Sequence, residues 1–255
     1  NDPDGGGITI GMQIPETAFQ WLYRPMSYQY LGREQFELRD SAQGVDDWTT
    51  PENVRTFELY DQLTPLWAPG VLALGIDQAD EAFAQGKAAW VVGGTYTIPY
   101  LLQQGMEPAD LAIFPVPAPE GSVIADAGIA AFPILSLGLT TQSDQKDAAR
   151  AFMEFISVGE GGPIFAEATS EVPASSTAAD VLKSSPLLGP VVAAMESAGP
   201  DAFNADDFSR FPVVTPTVNN QSSLALTGLV VGDADPAQVA IKFQEIFRNA
   251  WAQVN

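Results

Sequence analysis

Phe83-Ala84-Gln85-Gly86-Lys87-Ala88-Ala89-Trp90-Val91-Val92-Gly93-Gly94-Thr95-Tyr96 decides how this chain is read. The stretch describes a helix end, a glycine stop, an apolar strand and a glycine turn that presents an aromatic ring. The run Ala88 to Val92, flanked by glycines, predicts a strand covered on both faces. Open α/β folds bind ligands beyond the carboxyl ends of such strands. Tyr96 is therefore expected at the mouth of a cleft, with Thr95 placed by the same turn.

Upstream, Ile8 to Met12 predicts a short strand that Pro15 breaks. Glu16 to Leu31 predicts helix on either side of Pro25, and the polar run from Gly32 to Asp47 predicts a loop. Thr50-Pro51-Glu52 is a helix start: a capping hydroxyl, a proline suited to the first helical position and an acid at the positive end of the dipole. Val54, Phe57, Tyr60 and Leu63 then share a face, and Pro65 ends the segment. A second helix from Asp77 turns Ala79, Ala82 and Phe83 inward and stops at Gly86.

Downstream, Tyr100 to Gln104 predicts a helical remnant, Leu111 to Phe114 a second buried strand, and Pro115, Pro117 and Pro119 an extended exit. Residues 120–138, rich in Gly, Ala, Ser and Pro, are expected to cross between lobes. Ser143-Asp144 opens an amphipathic helix carrying Ala148, Phe152, Phe155 and Ile156. Further helices are expected near 163–168, over 180–198 with breaks at Pro186 and Pro190, and over Asn219 to Val231. Asp235-Pro236, with Gln238 as capping-box partner, starts the last one.

Composition excludes much. The 255 residues hold 32 acidic and 11 basic side chains, for a net charge of −21, and 46% are hydrophobic. That field repels nucleic acid and anionic membranes and is the mark of a solvated acidic surface. With neither cysteine nor histidine, disulfides, thiolate sites and the commonest general base and zinc ligand are absent. No apolar run approaches the roughly 18 residues of a membrane span. No phosphate loop, nucleophile elbow or zinc signature occurs, and no cofactor is expected. Asp2 and Asp4 begin like a calcium loop, but Gln13 stands where the bidentate glutamate belongs. The doublets Asp46-Asp47, Asp80-Glu81 and Asp206-Asp207 leave open a hydrolase acting on carbohydrate through paired acids. Sequence neighbours rarely face one another across a cleft, so the chain is not read as an enzyme. A ligand-free interaction module is the other alternative.

Aromatics in polar, irregular segments say more. A sugar offers apolar C–H faces and a rim of hydroxyls, and is held by a flat ring below and short polar groups at the edge. Tyr96 and Trp21 are the candidate rings and Phe211 a candidate wall. Glu16, Asn219 and Asn220, with Thr95, are candidates for the hydroxyl rim.

The segment Phe83 to Tyr100 resembles a signature of the extracellular solute-binding proteins, family 1, with Tyr96 where many relatives carry tryptophan. Trp48-Thr49-Thr50-Pro51-Glu52, Ile113-Phe114-Pro115-Val116-Pro117, Ser136 to Ile156, and Phe165-Ala166-Glu167-Ala168 through Val172-Pro173-Ala174 resemble further pieces of that family in the same order. The resemblance implies an α/β fold of the periplasmic-binding-protein type II, helix-rich, and capture of a sugar or oligosaccharide for the permease subunits of an ABC importer. Other family ligands, such as glycerol phosphodiesters, stay open. It implies an extracytoplasmic place, in periplasm or on the cell surface, with a lipid tether in some bacteria, although no cysteine here could carry one. It also implies a further opening stretch before the part matching Ile8, so that the chain is one piece of a longer protein. Residues 1–125 and 169–255 would then form the second lobe and 126–168 belong to the first, leaving Phe152 and Phe155 exposed.

Overall fold

The computed structural model describes residues 6–129, 137–204 and 211–255; Asp2, Asp4, Ser136, the Asp206-Asp207 doublet and Phe208 lie outside them. Strand β1 (Gly6–Thr9) pairs in parallel with β2 (Ala88–Val91), Ile8 beside Trp90. After β1 come α1 (Glu16–Ala18), a π-helical turn (Phe19–Tyr23) and α2 (Arg24–Leu31). Pro25 does not divide this helix. The turn ahead of it is widened, so the Arg24 N–H bonds to Phe19 O, five residues back, and the proline ring meets a turn already opened for it.

Gly32, at φ 77°, ends α2 and admits α3 (Arg33–Asp40), where the sequence predicted a loop. The charged composition concealed an inward face. Arg39 Nε donates to Asp40 Oδ1 at 3.1 Å, Arg24 lies 3.5 Å from Asp40 Oδ2, and Arg39 also reaches Asn53 Oδ1 at 3.5 Å. The Arg39 guanidinium lies 4.1 Å from the centroid of Trp48 and 4.7 Å from that of Phe36. Charges buried in this way are tolerated because they are paired and stacked.

The Thr50 cap forms as expected, its hydroxyl accepting from Asn53 N, and α4 (Pro51–Asp61) buries Phe57 and Tyr60. α5 (Ile76–Ala84) is followed by Gly86 at φ 73°. α6 (Thr97–Gln103) follows the glycine turn after β2.

Two strand expectations fail. β2 is not covered on both faces: Ala89 and Trp90 are exposed, because β2 has one strand neighbour and Trp90 leans edge-on against Phe114, at 5.2 Å. Leu111 to Phe114 forms no strand: Ala112 and Phe114 are exposed and no partner pairs with them among the described residues.

α7 (Lys146–Ser157) buries no residue, and Phe152 and Phe155 are exposed, as expected for that face. α8 (Gly161–Thr169), α9 (Ala179–Ser184) and α10 (Leu188–Ser197) pack through Ala166, Leu182, Leu188 and Val192 on Ile98 of α6. The chain breaks at Pro186. Pro190 sits in the first turn of α10, where its missing N–H has no helical acceptor to lose.

α11 (Val218–Val231) and α12 (Pro236–Val254) close the main core. Phe243 and Phe247 of α12 pack there with Phe19, Tyr23, Trp48 and Phe57. The capping box at α12 is complete: Gln238 N donates to Asp235 Oδ1 at 2.8 Å and Asp235 N to Gln238 Oε1 at 2.9 Å. Asp235→Ala is expected to lower the unfolding free energy by about 1 kcal/mol, read as a lower urea midpoint at unchanged slope. No change would show that the box does not hold this end.

Candidate functional site

Because β1 and β2 run parallel, the segments leaving them emerge at the same end of the sheet. After β1 the chain enters α1 and the π turn; after β2 it enters the turn Gly93-Gly94-Thr95-Tyr96. The two meet. The rings of Trp21 and Tyr96 lie 6.0 Å apart, tilted by 59°, both half-buried. Across the opening of α1, Asn220 Nδ2 donates to Glu16 Oε1 at 2.9 Å. Thr217 caps α11 by accepting from Asn220 N at 3.1 Å, which fixes the turn that carries this amide. An aromatic pair beside a carboxylate–amide pair, all four side chains only part-buried, can offer a sugar a ring below and polar groups at its edge.

The glycines account for the aim of Tyr96. A Cβ at Gly94 would stand 2.5 Å from Tyr96 Cε1, and one at Gly93 2.5 Å from Thr97 Oγ1. The Tyr96 ring and the Thr97 hydroxyl thus fold back onto bare backbone. Thr97 Oγ1 donates to Asp80 Oδ2 at 3.1 Å. Burial pushes the Asp80 carboxyl up to about 6, opposed by the Thr97 hydrogen bond and reinforced by Asp77. Burial and the Asp80 charge hold the Tyr96 phenol above the ordinary tyrosine range. The Tyr96 hydroxyl is buried and has no hydrogen-bond partner among the described residues.

The remaining expected residues spread out. Thr95 Oγ1 accepts from Val172 N at 3.5 Å, so this hydroxyl faces the Val172–Pro173 segment. The Asn219 side-chain oxygen is buried without a partner among the described residues, while its backbone oxygen accepts from Ser223 Oγ at 2.6 Å. Phe211 packs edge-on against Phe247 at 5.3 Å, with the Arg24 guanidinium 4.9 Å from its centroid. Those contacts set it against the main core. Concave space of about 470 Å³ lies along Ser143 to Arg150, and about 220 Å³ beside Trp67, Val71 and Val230.

Thr97 was not among the residues the sequence singled out, and Asp80 entered only as half of the Asp80-Glu81 doublet. The signal existed: Asp80 precedes Phe83 by three positions and so shares the inward face of α5. The two doublets among the described residues do not converge as paired acids. Asp46 is bound by Arg248, with Nε at 3.1 Å, and Asp80 is buried while Glu81 is exposed. Among the described residues no group of acids could hold a metal ion.

A parallel strand pair whose carboxyl ends present this site, wrapped by helices, is an α/β arrangement, and its likeness to solved sugar-binding proteins makes the fold that of the periplasmic-binding-protein type II. The chain belongs to the bacterial extracellular solute-binding protein family, whose model matches residues 2–161. Among solved structures it is similar to a chitin oligosaccharide binding protein, with 20% identity, a TM-score of 0.70, and coverage of 97% of this chain and 60% of that one. It is also similar to a sugar transporter from Bacillus licheniformis in complex with stachyose, at 16% identity and TM-score 0.70, covering 97% of this chain and 62% of that one. A third is the maltose/maltodextrin-binding domain from Bdellovibrio bacteriovorus bound to maltotriose, at 18% identity and TM-score 0.66, covering 100% of this chain and 62% of that one. This chain therefore spans about 60% of the length of the first of these structures. No curated protein matches it. Among the described residues no helix is long and apolar enough to cross a membrane.

Proposed function

We propose that this chain captures a sugar or oligosaccharide, without transforming it, for the permease subunits of an ABC importer. The observation that carries the reading is the Trp21–Tyr96 ring pair at the carboxyl ends of two parallel strands, with Glu16 and Asn220 hydrogen-bonded beside it. Trp21 and Tyr96 form the floor on which the C–H face of a pyranose stacks. Glu16 and Asn220 exchange their mutual hydrogen bond for sugar hydroxyls. Asn219 and Thr95 supply further polar contacts, and Phe211 backs the wall. Three structurally similar proteins carry names or ligands of oligosaccharide chemistry, which supports this ligand class. The net charge of −21 disfavours nucleic acid as a partner.

In the same reading, residues 1–125 and 169–255 form the second lobe and 126–168 lend their helix to the first, with α8 on the seam. Capture is closure of two lobes around the ligand, favoured because the closed form binds more tightly. The family is extracellular; the working place is the periplasm or the cell surface, with a membrane tether in the native precursor.

Thermal unfolding against maltotriose, stachyose and a chitin oligosaccharide tests this. A ligand at a hundred times its Kd is expected to add about 2.7 kcal/mol, raising Tm by roughly 5–10 °C. No stabilisation by any sugar would favour an interaction module, and release of reducing sugar would establish a hydrolase.

A further inference from the structure

The residues beneath the ring pair suggest how it is held. Asp80 is only 3% exposed, yet among the described residues its carboxylate receives one hydrogen bond, from Thr97 Oγ1. Thr97 is the first residue of α6, directly after Tyr96, and its hydroxyl packs on the bare Cα of Gly93. Gly94 in turn lies close against one side of the Tyr96 ring, where a Cβ would stand 2.5 Å from Cε1. The Asp80 carboxylate, together with the Thr97 N to Gly94 O backbone bond at 3.0 Å, therefore anchors one end of a turn with no side chains of its own to stiffen it at 93 and 94. The other end carries the ring that meets Trp21.

We propose that Asp80 is a positioning residue of the Trp21–Tyr96 floor: through Thr97 its carboxylate holds the glycine turn in the conformation that aims the Tyr96 ring at Trp21. The proposal deepens the sugar-binding reading and rests on it for its biological meaning, though not for its test. The surroundings make the anchor sensitive to protons. On its own helix Asp80 faces Asp77, with Glu81 exposed on the next position; from the turn before α6 it is approached by Tyr96 and from α6 by Tyr100. Strands β1 and β2, which also pack on α5, bring no charged side chain, and Lys87 in the turn before β2 is exposed. Among the described residues no cation pairs with the buried carboxylate, which agrees with a carboxyl pushed up to about 6. Above that pH the ionised group accepts a charge-assisted bond from Thr97. Below it, the neutral acid makes a bond roughly half as strong, and the turn loosens.

Trp21 reports this without any sugar. The chain has five tryptophans, hence five indole N–H cross-peaks in a ¹H–¹⁵N spectrum, and Trp21→Phe assigns the one that matters. In the wild-type chain the Trp21 cross-peak is expected to move with a midpoint near pH 6. In Asp80→Asn it is expected to stay at its low-pH position throughout. Thr97→Val, which keeps the shape and removes the donor, is expected to abolish the movement as well. Because the Asp80 pKa is raised in the folded state, its ionisation withdraws stability as pH rises through about 6. Asp80→Asn is accordingly expected to melt no lower than wild type above that pH, and Thr97→Val supplies the second test should it fail to fold. A Trp21 signal that ignores pH in the wild type, or titrates identically in either variant, overturns the proposal. Failure of every sugar to bind overturns only the functional reading.

Discussion

Tyr96→Ala is expected to weaken oligosaccharide binding by about 2 kcal/mol, roughly thirtyfold in Kd. The ring is half-buried and its one aromatic neighbour among the described residues is Trp21, 6.0 Å away. Truncation removes a stacking surface and leaves Trp21 without lateral support. The hydroxyl, buried and unpaired among the described residues, contributes no bond that phenylalanine would lose. Tyr96→Phe is therefore expected to bind within about twofold of wild type, since no hydrogen bond is given up. Calorimetric titration with the sugar that stabilises the chain most decides between ring and hydroxyl. Equal losses for alanine and phenylalanine would mean that the ligand meets the phenol oxygen and not the ring face.

The second large effect concerns stability. Phe243 is 0% exposed and stands at the centre of an aromatic cluster: Phe57 at 4.8 Å, Trp48 at 5.0 Å, Phe19 at 5.8 Å and Tyr23 at 6.0 Å. These rings come from α12, α4, the π turn and the segment before α4, so none can move into the space without disturbing another element. Phe243→Ala is expected to lower the unfolding free energy by about 3–5 kcal/mol, with Tm lower by roughly 10 °C or more. A loss under about 1 kcal/mol in urea denaturation would mean that the cluster relaxes into the cavity. Because Phe19 and Tyr23 flank Trp21 in sequence, the variant would also be expected to blur the ring pair.

Local chemistry was legible in the sequence wherever a short-range rule governs it. Thr50 and Asp235 start their helices as capping residues, Gly86 adopts positive φ, and a turn follows β2 into Tyr96. What was not legible depends on partners distant in the chain. Arg39 and Asp40 look like solvent-facing charges until Arg24, Asn53 and Trp48 are brought around them, which is why α3 was expected to be a loop. Leu111 to Phe114 has the composition of a buried strand, but a strand also needs an edge to join, and none pairs with it among the described residues. Phe211 was read as a wall for its polar neighbourhood, and its contacts with Phe247 and Arg24 were not legible in the sequence.

The widened turn at Phe19–Tyr23 carries one last implication. Phe19 and Tyr23 stack on each other at 5.9 Å inside the core, while Trp21 between them looks outward. Foundation and façade thus share five residues of backbone yet answer to different demands. The ring at position 21 can be exchanged to suit a new guest while its neighbours go on bearing the weight of the house.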